Sequence, residues 1–97
     1  MIYHVTTQQE WKNAIEKNVY EHNSLAKENF IHACSLQQLP GVIERYYKNK
    51  TELLLLHIDE SKLRSPLKYE HSPSVNDFFP HVYGPINIDA VTETQLL

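Results

Sequence analysis

The feature that most constrains this sequence is the apolar run Leu53 to Ile58, which holds four consecutive leucines. Six residues between polar segments are the length of a strand rather than of a helix. Successive side chains of a strand point to opposite faces, so adjacent leucines need apolar cover on both sides. The run therefore predicts a central strand that is buried on both faces.

The N-terminal segment predicts a strand followed by a helix. Residues Ile2 to Val5 alternate apolar and polar character, as strands with one buried face do. Thr7 and Glu10 have the spacing of a capping box, in which the hydroxyl and the carboxylate each accept a backbone N–H. A helix should follow and fade near Asn18. Its predicted buried face consists of Trp11, Ala14 and Ile15.

A second strand and a second helix are predicted next. Residues Tyr20 to Asn29 form a polar connection, and Phe30 to Cys34 are rich in strand formers. Ser35 and Gln38 repeat the capping-box spacing. Because proline suits the first position of a helix, the main helix is expected from about Pro40. Its predicted apolar stripe consists of Leu36, Leu39, Ile43 and either Tyr46 or Tyr47.

The C-terminal part is predicted to be mostly strand. Residues 59–66 are rich in turn formers, with one helical turn at 62–64, and Leu67 to Glu70 form a short strand. Residues 71–79 carry proline, serine and asparagine and predict an irregular loop. One or two strands are expected between His81 and Val91, interrupted at Gly84. This order of elements predicts a single α+β domain, with two main helices on a small mixed or antiparallel sheet.

Charge and composition exclude several classes of function. The chain of 97 residues has 12 acidic and 9 basic residues, and a net charge of -3. Its only arginines are Arg45 and Arg64, and no basic cluster occurs, so binding of long nucleic acid is disfavoured. No apolar run could span a bilayer, and no signal-peptide pattern opens the chain. We expect a cytoplasmic monomer without a membrane partner.

Six histidines are the most informative polar residues, at positions 4, 22, 32, 57, 71 and 81. Histidines on neighbouring strands can converge and supply donors and acceptors near neutral pH. His32 and His81 are the strongest candidates because apolar residues and a strand or a proline hold them, whereas His22 looks ordinary. The alternative is that each histidine is a partly buried residue with a backbone partner. No histidine or cysteine spacing typical of a metal site occurs, so none is predicted.

Glu70 and Cys34 are the other candidates for chemistry. Glu70 ends a strand with apolar neighbours, where a carboxylate usually has a partner, although a solvated strand end is the alternative. Cys34 precedes a predicted helix, a position that can activate a thiol. A lone cysteine in such an apolar segment is more often a small core residue. It also excludes an internal disulfide and a four-cysteine zinc site.

Several segments together resemble a known family. They are I-Y-H-V-T, a W-x-x-A helix, S-L-A-x-E-x-F-I-H-A-C-S, L-L-L-L-x-I-D, L-K-Y-E and F-P-H-V-Y-G-P-I. Their order and spacing, over about Ile2 to Val91, resemble the small bacterial proteins of domain-of-unknown-function family 952. That family is grouped with the ADP-ribosyltransferase-like superfamily, whose members bind NAD in a cleft of a split, mixed sheet.

The resemblance implies a nucleotide site, with NAD as a candidate substrate and no other cofactor. Tyr3 to Thr6 look like the superfamily motif whose histidine contacts the NAD ribose, although Val5 stands where that motif has glycine. Glu70 matches the late glutamate that contacts the ribose beside the departing nicotinamide. We therefore predict a pocket in which Glu70 stabilises a positive transition state and His81 positions the ligand. The predicted catalytic residues are Glu70 and His32, and the predicted ligand-binding residues are Tyr3, His4, Thr6, His81 and Tyr83.

Two functional hypotheses stay open at this point. The first is an enzyme that transfers ADP-ribose or cleaves an N-glycosidic bond of a nucleotide-like ligand. The second is a non-catalytic module for ligand sensing or protein interaction that keeps only the fold.

Overall fold

A computed structural model describes all residues from 1 to 97, as an α+β structure with three small antiparallel sheets. The sheets have the strand orders β1-β4-β8, β2-β7 and β3-β6-β5. The predicted α+β class is confirmed, and every strand pair is antiparallel. The elements are β1 (Ile2–Thr7), α1 (Gln8–Lys17), β2 (Val19–Tyr20), α2 (Ser24–Glu28), β3 (Ile31–His32), α3 (Leu39–Tyr46), β4 (Leu53–Ile58), β5 (Leu67–Ser72), β6 (Asp77–Val82), β7 (Ile86–Asn87) and β8 (Val91–Leu96), with 3-10 turns at Glu60–Lys62 and Ile88–Ala90.

The leucine run is the central strand of the first sheet, as predicted. Strand β4 pairs with β1 on one side and with β8 on the other. Its four leucines are all buried. Leu56 lies in the larger of two apolar clusters, with Tyr20, whereas Leu53 and Leu55 lie in the smaller one beneath α3.

Two backbone hydrogen bonds join the first sheet to the third. Tyr3 donates its N–H to the carbonyl of Cys34 at 2.8 Å and accepts the N–H of Cys34 at 2.8 Å. This isolated bridge places the end of β3 beside β1. The candidate site described below lies next to this junction.

The loop predicted for residues 71–79 is wrong, because a hairpin occupies this segment. Strand β5 continues to Ser72, β6 begins at Asp77, and only residues 73–76 turn. The turn formers there mark a tight connection rather than a long loop. Pro80 lies inside β6 and accepts the N–H of Ala33, but it has no N–H to return. The two-residue pairing of β3 with β6 stops there for that reason.

Helix α1 has the predicted cap but only part of the predicted buried face. The Thr7 hydroxyl accepts the Glu10 N–H, and the Glu10 carboxylate accepts the Thr7 N–H, so the capping box is confirmed. Ala14 is buried and Trp11 packs against the core, whereas Ile15 is 52% exposed. Glu10 faces the protein because it accepts the capping hydrogen bonds. In this orientation the helix turns Ile15 towards solvent.

The connection predicted for residues 20–29 contains structure that the sequence reading missed. Tyr20 ends strand β2 and is buried, and Ser24–Glu28 form the short helix α2. Ser35 and Gln38 exchange the predicted hydrogen bonds in a turn, and α3 begins at Leu39, one residue before the predicted start. The predicted apolar stripe of α3 is confirmed except at one residue: Leu39 is buried and Ile43 and Tyr47 pack against the smaller core cluster, whereas Leu36 is largely exposed. Tyr47 rather than Tyr46 completes the stripe.

The C-terminal strands extend beyond the predicted limit of Val91. Strand β7 follows the Gly84 interruption, and β8 runs from Val91 to Leu96 along the edge of the first sheet. The helical turn expected at 62–64 occurs as a 3-10 turn at Glu60–Lys62. No helix has both the length and the apolar character needed to cross a membrane.

Candidate functional site

A cleft of about 640 Å³ lies beside the junction of β1 with β3, under helix α3 and the tip of the β5–β6 hairpin. Its lining includes histidines, cations and aromatic residues, besides Glu28 and several small or aliphatic residues. The histidines are His4, His22, His32, His71 and His81, the cations are Arg45 and Lys50, and the aromatic residues are Tyr3, Tyr46, Tyr47 and Phe79. Five of the six histidines of the chain therefore border one cavity.

His81 is the most tightly held of these histidines. Its Nδ1 lies 2.8 Å from Glu70 Oε1, and its side chain is only 12% exposed. The ring of Phe30 stacks on its imidazole, with ring centres 4.0 Å apart and planes 16° apart. The His32 ring meets it edge-on, with centres 5.3 Å apart. This packing fixes the His81 ring at the wall of the cleft.

Glu70 is held by two donors at a single oxygen. The Tyr83 hydroxyl donates to Oε1 at 2.5 Å, and His81 Nδ1 contacts the same atom. These hydrogen bonds, Tyr83's first, lower the pKa of the Glu70 carboxyl below its ordinary value. The carboxylate in turn raises the pKa of Tyr83, which stays a protonated donor at neutral pH. Glu70 and Tyr83 lie behind His81 and do not line the cleft.

His32 has a carboxylate partner of its own. Its Nε2 lies 2.6 Å from Glu28 Oε2, and both side chains are about half exposed. Glu28 ends helix α2 and His32 ends strand β3, so the intervening tight connection brings them together. His32 and His81 are register partners on β3 and β6, which places both rings on the same face of the third sheet.

His4 lies beneath the cleft inside a buried hydrogen-bonded network. Its Nδ1 is 2.5 Å from the carbonyl oxygen of His32, and its Nε2 is 2.7 Å from the Tyr20 hydroxyl. Burial lowers the pKa of His4 from 6.5 to about 3, so the ring is neutral. A carbonyl only accepts, so Nδ1 carries the hydrogen and Nε2 accepts from Tyr20. The Tyr20 hydroxyl also lies 2.9 Å from the Thr6 hydroxyl.

The structure brings four of the predicted site residues into one cluster: Glu70, His32, His81 and Tyr83. Tyr3 lines the same cleft, with its ring edge-on to His57 on the neighbouring strand. His4 borders the cleft, but only 3% of its surface is exposed. Thr6 is buried and does not border the cleft at all. The N-terminal motif thus supplies mostly structural hydrogen bonds.

The predicted site lacked several residues that line the cleft, and it lacked Phe30, which stacks on His81 beside it. Glu28 and Phe30 both belong to the S-L-A-x-E-x-F-I-H segment. That segment therefore already contained the carboxylate partner of His32 and the ring that stacks on His81. Arg45 and Lys50 come from α3 and the connection after it. Nothing local distinguishes them from other surface cations. His22, read as ordinary, contacts the His4 ring with centres 5.3 Å apart.

A second depression, of about 870 Å³, lies between α1, β2 and α2. Its charged groups are Glu10, Glu16, Lys17 and Glu21, and no tryptophan, tyrosine or phenylalanine lines it. An acidic surface without rings offers little to a nucleotide. The histidine cleft is smaller, but it combines rings, cations and histidines, and it is the candidate site for that reason.

The cleft wall has neither a reactive cysteine nor a group of metal-binding side chains. Cys34 is buried, and burial raises the pKa of its thiol to about 11, so it is a small core residue rather than a nucleophile. No three side chains of histidine, cysteine, aspartate or glutamate are grouped so that they could hold a metal ion.

A family model described as a protein of unknown function, DUF952, matches residues 5–94. The chain belongs to this family. The DUF952 chain is similar to protein CC0527 from Caulobacter crescentus, whose crystal structure aligns with a TM-score of 0.90 at 27% identity, over 99% of this chain and 84% of that one. A crystal structure of a double mutant of CC0527 gives a TM-score of 0.89 at 26% identity, over 99% and 84% of the two chains.

The solution structure of CC0527 gives a TM-score of 0.84 at 27% identity, over 99% of this DUF952 chain and 83% of that one. No curated protein matches. The predicted membership of DUF952 is therefore confirmed. The likeness to the ADP-ribosyltransferase-like superfamily stays a prediction.

Proposed function

We propose that the cleft binds a small nucleotide-like ligand, with NAD and ADP-ribose as the expected ligands. The observation that carries the proposal is the combination of rings, cations and histidines around one cavity. A dinucleotide presents a planar base, a ribose and a pyrophosphate. Each of these groups has a matching kind of side chain in the cleft.

The phosphates are assigned to Arg45 and Lys50. Both border the cleft, both are exposed, and neither takes part in any of the salt bridges of the molecule. In a chain with a net charge of -3, two unpaired cations at one cavity are a local positive site. A guanidinium also binds phosphate oxygens through paired, charge-assisted hydrogen bonds.

The base and the ribose are assigned to the other walls. Tyr46 is 61% exposed and borders the cleft. The Arg45 guanidinium lies over its ring, 5.8 Å from the ring centre, so a planar base would stack on the other ring face. His32 and His81 lie side by side on the β-sheet wall, where His32 can hydrogen-bond a ribose hydroxyl and His81 faces the same part of the ligand. This arrangement would leave Glu70 acting through His81 rather than touching the ligand.

The test is a titration with NAD, ADP-ribose and adenosine, followed by isothermal calorimetry and by the histidine signals in NMR. We expect NAD and ADP-ribose to bind and adenosine, which has no phosphate, to bind more weakly. The Arg45→Ala variant should bind ADP-ribose about tenfold more weakly, the loss of one charge-assisted hydrogen bond of about 1.5 kcal/mol.

The matched control is Arg64→Ala, which removes an exposed arginine that pairs with Asp89 outside the cleft. Its affinity should equal that of the wild type. Equal affinity for adenosine and ADP-ribose would refute the phosphate assignment. Absence of binding by both NAD and ADP-ribose at millimolar concentration would refute the proposal as a whole.

A protein-interaction module is the second candidate. The observation that favours it is a pair of exposed rings, Tyr69 and Phe78, on the outer face of the β5–β6 hairpin. Neither ring lines the cleft. If none of the three ligands shifts the histidine NMR signals, that result would favour the protein-interaction module over the nucleotide site.

A further inference from the structure

The Tyr83–Glu70–His81 cluster determines which nitrogen of His81 carries a hydrogen. Glu70 is ionised at neutral pH, so it can only accept. His81 Nδ1 lies 2.8 Å from its Oε1 and must therefore carry a hydrogen. In the imidazole form of the ring, the other nitrogen, Nε2, then holds a lone pair. A carboxylate that fixes the tautomer of a histidine in this way prepares the opposite nitrogen to accept a proton.

The Nε2 of His81 is free to meet a ligand. No side chain or backbone group hydrogen-bonds to it, although every buried side-chain nitrogen and oxygen in the molecule has a partner. Nε2 is therefore not sealed inside the protein, and the ring borders the cleft. Tyr83 supports the arrangement from behind, because its hydroxyl holds the same Glu70 oxygen.

The ring of His81 is also immobilised, which a proton acceptor needs in order to act at one atom. It stands on β6, the middle strand of its sheet. Phe30 covers one face of it and His32 meets it edge-on. A base positioned within hydrogen-bonding reach of a nucleophile typically contributes about 10²–10⁴-fold to a rate.

We infer that His81 is the general base of a hydrolytic site, and that it activates a water molecule against the ribose C1′ of the nucleotide bound in the cleft. Glu70 and Tyr83 act as positioning residues for this base. The inference rests on the proposed binding of NAD and adds the reaction. It also reverses the roles predicted from sequence, in which Glu70 touched the transition state and His81 only held the ligand.

The step balances with water as the co-reactant. His81 Nε2 takes one proton of the water, and the hydroxide oxygen forms a bond to C1′. The bond from C1′ to the nicotinamide nitrogen breaks, and its electron pair stays on that nitrogen, which neutralises the pyridinium. The products are ADP-ribose and nicotinamide, and the proton on His81 passes to solvent.

The first experiment measures nicotinamide release from NAD by chromatography, and NAD binding separately by calorimetry. His81→Ala should lower kcat about 10²-fold or more while KM changes little. Glu70→Gln and Tyr83→Phe should also lower kcat, and Tyr83→Phe less, because the Glu70–His81 contact remains. The controls are His57→Ala and Glu93→Gln, since both residues lie outside the cleft and neither should change kcat.

The second experiment reads the tautomer directly by ¹⁵N NMR of the neutral imidazoles. His81 should show a protonated Nδ1 and an unprotonated Nε2 in the wild type. Glu70→Gln should shift the equilibrium towards the other tautomer, because the amide can donate to Nδ1. The readout needs no turnover, so it stays informative if His81→Ala fails to fold.

The outcomes separate this inference from the proposed function. Wild-type protein that binds NAD but releases no nicotinamide overturns the hydrolytic base and leaves the binding proposal intact. Unchanged kcat in a folded His81→Ala variant overturns it as well, and so does a wild-type His81 with hydrogen on Nε2. Failure to bind NAD at all overturns the proposed function, and the inference with it.

Discussion

Removing one buried hydroxyl, in a Tyr20→Phe variant, tests the polar network beneath the cleft. Tyr20 is 1% exposed, and its hydroxyl lies 2.7 Å from His4 Nε2 and 2.9 Å from the Thr6 hydroxyl. The substitution keeps the ring and its apolar packing against Leu56 and the rest of the larger core cluster. Only the two polar contacts change, so the effect on stability can be assigned to them.

The two contacts do not cost the same when they are lost. Thr6 keeps a second partner, because its hydroxyl also donates to Glu10 Oε1 at 3.3 Å. His4 Nε2 keeps none, and a buried polar atom left without a partner costs about 1–3 kcal/mol. Together with about 1 kcal/mol for the lost contact with Thr6, the expected loss is roughly 3 kcal/mol.

For a domain of this size, roughly 3 kcal/mol corresponds to a fall in Tm of about 15 °C. Differential scanning calorimetry and urea unfolding measure the change. The control is Tyr69→Phe, whose hydroxyl donates to Glu60 at the surface and should cost at most about 0.5 kcal/mol. A Tm for Tyr20→Phe within about 3 °C of the wild type would refute the network as a source of stability.

Two further predictions concern pH and the core. Because the pKa of His4 falls from 6.5 to about 3 on folding, the unfolded chain binds more protons between these values, and stability should fall as pH drops from 6.5 towards 3. Denaturant titrations across that pH range measure the loss in the free energy of unfolding. If the stability of a His4→Gln variant depended on pH just as steeply, His4 would not be the cause. Leu56→Ala should cost about 2–5 kcal/mol, because Leu56 is fully buried on the central strand. The exposed Leu36→Ala should cost under about 0.5 kcal/mol, and similar losses for both would contradict the core assignment.

Local patterns were reliable where neighbouring residues alone decide the structure. The Thr7–Glu10 capping box formed as predicted, because both of its hydrogen bonds join residues within one helical turn. The leucine run of β4 became a buried strand, since a central strand with apolar cover on both faces hides consecutive leucines. Such features depend little on the rest of the chain.

Errors arose where a partner distant in sequence changes the outcome. Turn formers in residues 71–79 predicted a loop, but pairing with β5 extended β6 back to Asp77. Ile15 fits the apolar period of α1 and is exposed, because the helix turns Glu10 and Ala14 inward instead. Tyr20 lies in a polar stretch and became a buried residue through its contacts with His4 and Thr6.

The sequence by itself determined the α+β class, the central strand and the cap of the first helix. It also singled out His32 and His81, which the structure places side by side at one cleft. It could not determine that Glu70 lies behind His81 rather than in the cleft, because antiparallel register sets that relation across two strands. It also could not show that α3 brings Arg45 to the histidines, or that His4 turns inward. Local order follows from neighbouring residues, whereas a site is made of residues that only the packing of sheets and helices brings together.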